Sequence, residues 1–154
     1  MSRAARARPG AARAPARLRA RFPPDVLGVI GAGGIVGALA RYEIAQVIHV
    51  RPGGFPWATF LTNVTGSFLM GLLGVVLLER LAPSRYVRPL LTTGFLGAFT
   101  TYSTFAVEAD LLVRDGHALV GLAYVVATAS AGLVAVWAGM ACARVLPRRK
   151  GVRW

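Results

Sequence analysis

The apolar positions of this chain fall into four long runs, roughly Val26–Ile48, Trp57–Leu78, Val87–Val113 and Ala118–Cys142. Most of the charge lies at the chain ends and in the short gaps between the runs. A helix at a protein–water boundary keeps one face wet, with apolar residues recurring every three or four positions. Each run here is instead about long enough to cross some 30 Å of hydrocarbon. The pattern predicts an all-α membrane protein with one domain and four transmembrane helices. The gaps carry the matching turn chemistry. They are Pro52–Gly53–Gly54–Phe55–Pro56, Leu81–Ala82–Pro83–Ser84–Arg85 and Arg114–Asp115–Gly116–His117. Trp57 opens the second run, where interfacial aromatics concentrate.

Two of the runs are polar inside. Thr59–Phe60–Leu61–Thr62–Asn63–Val64–Thr65–Gly66–Ser67 forms the front of the second, and Gly94–Phe95–Leu96–Gly97–Ala98–Phe99–Thr100–Thr101–Tyr102–Ser103–Thr104–Phe105 interrupts the third. Unpartnered polar groups in hydrocarbon cost several kcal/mol, so such density points to a role in binding or passing something. In the third run, Gly94 and Gly97 weaken the helix, and the hydroxyls of Thr100 and Thr101 compete for backbone partners. One outcome is a break that frees carbonyls near the bilayer midplane, as in transport proteins whose broken helices hold cations. The other is an intact helix whose threonines bond back to preceding carbonyls. Tyr102 and Phe105 are three apart and share a helix face, either as core or with ring edges presented to an anion. Asn63 is either interhelical glue or a pair of amide donors for an anion, with Thr59 one turn earlier on the same face.

The first run contains Gly28, Gly31, Gly33, Gly34 and Gly37. A dinucleotide-binding turn is excluded because Val36 occupies the third glycine position counted from Gly31 and no strand–helix alternation follows. Gly33 and Gly37 instead predict a small-xxx-small face for close helix approach. Cys142 is the single cysteine, so no internal disulfide forms. With His49 at a membrane boundary and His117 in a turn, there is no transition-metal cluster.

Composition sharpens this picture through the placement of charge. Of the 154 residues 55% are hydrophobic, and the formal charge of +12 comes from 18 Lys plus Arg against 6 Asp plus Glu. Arg3, Arg6, Arg8, Arg13, Arg17, Arg19 and Arg21 lie in an Ala/Pro-rich leader (1–24), read as disordered and lipid-associated. This clustering at membrane ends argues against a nucleic-acid partner. The leader is no signal peptide, since the run behind it is too long and further spans follow. The four-helix transmembrane domain covers 25–146, and 147–154 is a basic cytoplasmic tail. Leader, central loop and tail share one side of a four-span protein and hold 15 bases; Arg41, Arg51 and Arg114 go to the other. By the positive-inside rule both termini are cytoplasmic.

Three stretches together resemble the CrcB/Fluc fluoride channel family. They are Gly33–Gly34–x–x–Gly37–Ala38–x–x–Arg41–Tyr42, Asn63–Val64–x–Gly66–Ser67–Phe68–x–x–Gly71, and Gly94–Phe95–x–Gly97–x–x–Thr100–Thr101–Tyr102–Ser103–Thr104–Phe105. Thr128 and Gly132 add a similar polar-then-glycine spacing in the fourth run. The resemblance implies a broken third helix, an antiparallel dual-topology-type dimer with two pores, and a plasma-membrane location. It implies a fluoride-specific ion channel that lets cytosolic fluoride exit passively and so reduces its toxicity. A structural, untransported sodium ion (Na+) on the dimer axis would be held by the backbone carbonyls matching Gly97 and Thr100. The fluoride pathway would comprise Asn63, Tyr102, Phe105, Thr59, Thr128 and Arg41, the last either drawing anions into a vestibule or snorkelling as a topology anchor. Tyr102 departs from the commonest pattern of the family, in which the first residue of the aromatic pair is phenylalanine.

The charge asymmetry predicts that this subunit inserts mainly one way, and so pairs with an oppositely oriented homologue rather than only with itself. The competing class is a small multidrug-resistance-type proton-coupled exporter, which needs an embedded carboxylate. Glu43, Glu108 and Asp110 are the candidates, and all are read as boundary residues. Neither class is an enzyme.

Overall fold

The computed structural model describes residues 23–80 and 84–145. The leader before residue 23, loop positions 81–83 and the basic tail from 146 lie outside the described residues. The first run forms α1, Pro24–Val47, with a proline in its first turn, where the missing N–H is no loss. The second forms α2, Trp57–Val75, continuing as a π-helical turn through Val76–Arg80. The third run starts as a π-helical segment, Pro89–Leu96, which tightens into one α-helical turn, α3, Gly97–Phe99. It resumes as α4, Tyr102–Arg114, and the fourth run forms α5, Ala118–Val145.

Three continuous helices, Pro24–Val47, Trp57–Arg80 and Ala118–Val145, are long and apolar enough to cross a membrane. The third run is interrupted, because Thr100 (φ −78°, ψ 153°) and Thr101 (φ −144°, ψ 123°) are extended. Of the two outcomes left open by the sequence, the break is the one observed, and it lies just after the glycines rather than at them. The turns at Gly53 and Gly116 sit where the proline and glycine content placed them. Gly53 (φ +72°) and Gly116 (φ +83°) take the left-handed conformation that a side chain would disfavour. At Gly116 the His117 N–H reaches back to the Leu112 carbonyl (2.8 Å), closing the C-terminus of α4.

Packing is by backbone approach. α2 packs chiefly on α5, and α1 on the Pro89–Phe99 stretch. A Cβ on Gly71 would strike the Val136 carbonyl, and one on Gly139 the Phe68 carbonyl, so the two helices exchange glycines. Gly33 meets the Leu90 carbonyl and Gly37 that of Phe95, so the predicted small-residue face of α1 is the one that packs. Lipid tails are as apolar as leucine, so helices in a membrane gain by close contact rather than by hiding apolar surface. Accordingly Ile35, Leu119, Leu133, Val134 and Trp137 face outward. This is an integral membrane protein.

Polar contacts tie the two ends. The Arg85 guanidinium bonds Asp25 (2.9 Å) and the Tyr86 hydroxyl donates to the same carboxylate (2.8 Å). That bond raises the Tyr86 phenol above its ordinary value, since ionising it would set a second negative charge beside Asp25. Arg80 donates to the Arg144 carbonyl (3.0 Å). The start of α1 therefore lies beside Arg85 and Tyr86, and Arg80 beside the end of α5, while Gly53 and His117 meet elsewhere. His117 is an exposed turn residue, as read from the sequence.

Candidate functional site

The site is organised by what closes the break. In a continuous helix the Thr101 N–H would donate to the Gly97 carbonyl, and the Thr104 N–H to that of Thr100. Instead the Thr101 N–H donates to Asn63 Oδ1 (2.8 Å), and Asn63 Nδ2 donates to the Thr101 carbonyl (3.0 Å). The Asn63 carboxamide thus pairs with the extended Thr101 as a neighbouring strand would. The Thr104 N–H donates to Thr101 Oγ1 (3.2 Å), an N-cap that starts α4. On the other side, the Thr100 N–H and hydroxyl both donate to the Leu96 carbonyl and end α3.

Two cavities flank this pairing, and Thr101 lines both. The groove on one side, about 470 Å³, brings together Asn63, Tyr102, Phe105 and Thr128. The two rings lie 6.1 Å apart, centroid to centroid, and Phe105 packs at 5.1 Å on Tyr124. Tyr102 is 81% exposed. Thr128 is buried, and its Oγ1 has no hydrogen-bond partner among the described residues. A buried orphan hydroxyl calls for an explanation, and a water or ion partner is one.

The cavity on the other side, about 540 Å³, is lined by Arg41, Thr59 and Glu108 among others. Thr59 and Arg41 therefore stand apart from the Asn63 groove, separated from it by the Asn63–Thr101 pair. The Thr59 hydroxyl donates to Glu108 Oε1 (2.9 Å), and the wholly buried Tyr124 donates to Oε2 (2.7 Å). The sequence did not foresee these partners of Glu108, whose bond to Thr59 in the first turn of α2 agrees with its place near a boundary. It is bonded between α2 and α5, and the 101–104–108 spacing on the helix face that starts at the break was the signal that could have found it. Of the two readings left open for Asn63, the interhelical bond is observed: part of its carboxamide is committed to backbone, leaving one amide N–H for a ligand.

Among the described residues no group of three His, Cys, Asp or Glu side chains could hold a metal ion. Oxygen donors at the break come from the main chain. Gly97, Ala98, Phe99 and Thr100 all lose their helical donors at the break, and those of Gly97 and Thr100 go to Asn63 and to Thr101. A hard monovalent cation fits such a pair by its donor chemistry, as in other broken membrane helices.

The profile described as "CrcB-like protein, Camphor Resistance (CrcB)" matches residues 28–140, from the first turns of α1 to the last third of α5. This chain belongs to the CrcB family. Relatives in that family include "Fluoride-specific ion channel FluC 1" of Streptomyces coelicolor, 44% identical over 146 residues, which are 93% of this chain and 95% of the relative. "Fluoride-specific ion channel FluC" of Rhizobium meliloti is 40% identical over 119 residues, 77% of this chain and 95% of its own. "Fluoride-specific ion channel FluC 1" of Mycobacterium bovis is 43% identical over 127 residues, 82% and 93% respectively. The matched region of this CrcB protein contains both cavities and the whole break. These relatives are named as channels, and nothing in their names describes an enzyme.

Proposed function

We propose that this CrcB protein is a fluoride-specific ion channel through which cytosolic fluoride leaves passively, lowering its toxicity. The observation that carries the reading is the convergence, on one groove, of the unpartnered Thr128 hydroxyl, the remaining Asn63 N–H and the edges of Tyr102 and Phe105. Fluoride is small and strongly hydrated, so a path for it must replace water with several donors, none so strong that the ion stays. Hydroxyl, amide and positively polarised ring edges are such a graded set. Arg41 on the neighbouring cavity wall supplies positive potential at the entrance. Thr59 already gives its hydroxyl to Glu108, so it meets an anion only by letting go of that carboxylate.

The working unit is an antiparallel dimer in the plasma membrane, with the termini of this chain cytoplasmic. The outward-facing Tyr102 and the open groove support a second subunit closing each pathway. A structural sodium ion on the dimer axis, held by the Gly97 and Thr100 carbonyls, supplies fixed positive charge between the pathways. The basic side of the chain, tied together by the Asp25–Arg85 and Arg80–Arg144 contacts, favours one orientation and therefore an oppositely oriented homologous partner. The relatives' names favour the channel over a proton-coupled exporter.

Liposome efflux tests the reading. Fluoride leaves vesicles holding the protein while chloride stays, and flux requires no proton gradient; proton-coupled export of organic cations would replace it with the other class. In the same assay Tyr102→Phe conducts at least as well as wild type, because the ring edge is kept and only the hydroxyl is lost. A drop of about tenfold or more would show that the hydroxyl itself serves the ion. A C-terminal tag on the protein expressed alone labels from the cytoplasmic side only. Equal labelling from both sides, with activity intact, establishes a homodimer.

A further inference from the structure

We infer that Asn63 and Thr101 are positioning residues for the cation cage, each removing from the helix the one N–H that would otherwise occupy a cage carbonyl. The inference rests on the sodium reading above and extends it to side chains that never touch the ion. The correspondence is one to one. The helical donor of Gly97 is the Thr101 N–H, and it goes to Asn63 Oδ1 (2.8 Å). The helical donor of Thr100 is the Thr104 N–H, and it goes to Thr101 Oγ1 (3.2 Å). A backbone carbonyl inside a helix has its lone pair engaged along the axis, and it can ligate a cation well only when that donor is satisfied elsewhere. The break also parts Ala98 and Phe99 from their helical donors, but at Gly97 and Thr100 the lost donor is held by a named side chain, which keeps it from returning.

Asn63 consequently divides its carboxamide between two tasks. Its oxygen keeps the Thr101 N–H away from Gly97, while its nitrogen bonds the Thr101 carbonyl and lines the groove with Tyr102, Phe105 and Thr128. The peptide linking Thr100 to Thr101 contains both the cage carbonyl of Thr100 and the N–H held by Asn63. Rotating that peptide in the absence of Asn63 turns the carbonyl with it, because the peptide unit is planar. This separates what the oxygen does from what the nitrogen does, which a merely structural asparagine would not.

The measurement is the thermal unfolding midpoint of the purified full-length protein in detergent, titrated with sodium chloride against N-methylglucamine chloride at constant ionic strength. Wild type is stabilised saturably by sodium. Thr101→Val, which loses the acceptor for the Thr104 N–H, needs about tenfold more sodium for half the effect, as does Asn63→Leu, each having returned one competing donor to a carbonyl. Thr101→Ser keeps the acceptor and titrates like wild type. Asn63→Asp keeps an oxygen for the Thr101 N–H, so its sodium titration stays near that of wild type although its fluoride flux is lost. Wild-type sodium dependence in Thr101→Val or Asn63→Leu overturns the inference and leaves the sodium reading standing. An absence of any sodium effect on wild type overturns the sodium reading and the inference with it. If Thr101→Val does not fold, the Asn63 pair decides: equal loss of sodium response in Asn63→Asp and Asn63→Leu overturns the proposal.

Discussion

Replacing Gly139 by alanine destabilises the protein by about 3 kcal/mol, the upper end for overpacking one methyl into a tight contact, whereas Gly74→Ala leaves it as stable or slightly more so. Both glycines lie in the α2–α5 layer, but their surroundings differ. A Cβ on Gly139 meets the Phe68 carbonyl and, at 2.9 Å, the Leu72 nitrogen. These are backbone atoms, so no side-chain rotation relieves the contact, and the helices must separate. Separation also loosens the mirror-image contact of Gly71 with the Val136 carbonyl. Nothing lies within 4 Å of a Cβ on Gly74, and alanine is about 0.5–1 kcal/mol better than glycine within a helix. The pair is read by thermal midpoint and by the monodisperse fraction after detergent extraction. Equal behaviour of the two variants would mean that α2 and α5 are not in backbone contact.

Fluoride flux through Asn63→Leu falls by a hundredfold or more. The substitution removes the amide N–H from the groove and also leaves the Thr101 N–H and carbonyl without the partners they have at 2.8 and 3.0 Å. Each orphaned buried group costs about 1–3 kcal/mol, enough to let the break rearrange toward a continuous helix. Asn63→Asp separates the two effects. It retains an acceptor for the Thr101 N–H and so holds the break, yet it faces an incoming anion with an oxygen instead of a donor. Flux is therefore lost in both variants, while the thermal midpoint falls by more in Asn63→Leu. Near-normal flux in Asn63→Asp would remove Asn63 from the pathway.

The aromatic pair shows how far local reasoning reaches. Tyr102 and Phe105 are placed together by helical spacing alone, and the structure finds them adjacent on α4. Thr59 and Asn63 are also one turn apart, yet they serve different cavities. What divides them is Thr101, which is 38 residues from Asn63 in sequence. The partners of Glu108 escaped local reading for a related reason. Distance from the end of its run sets it near a boundary, and only the fold shows that Thr59, 49 residues earlier, and Tyr124 bond its carboxylate there.

From its residues alone the chain determined four runs, their turns, the glycine face of α1 and the weak point of the third helix. All of these follow from periodicity, run length and the conformational limits of Gly, Pro and Thr, which act within a few residues. Tertiary structure decided which carbonyls were released, which amide was committed and which hydroxyl was left unpartnered at Thr128. Those outcomes depend on which donor wins each acceptor, and the winning partners come from other helices, beyond the range of any local pattern.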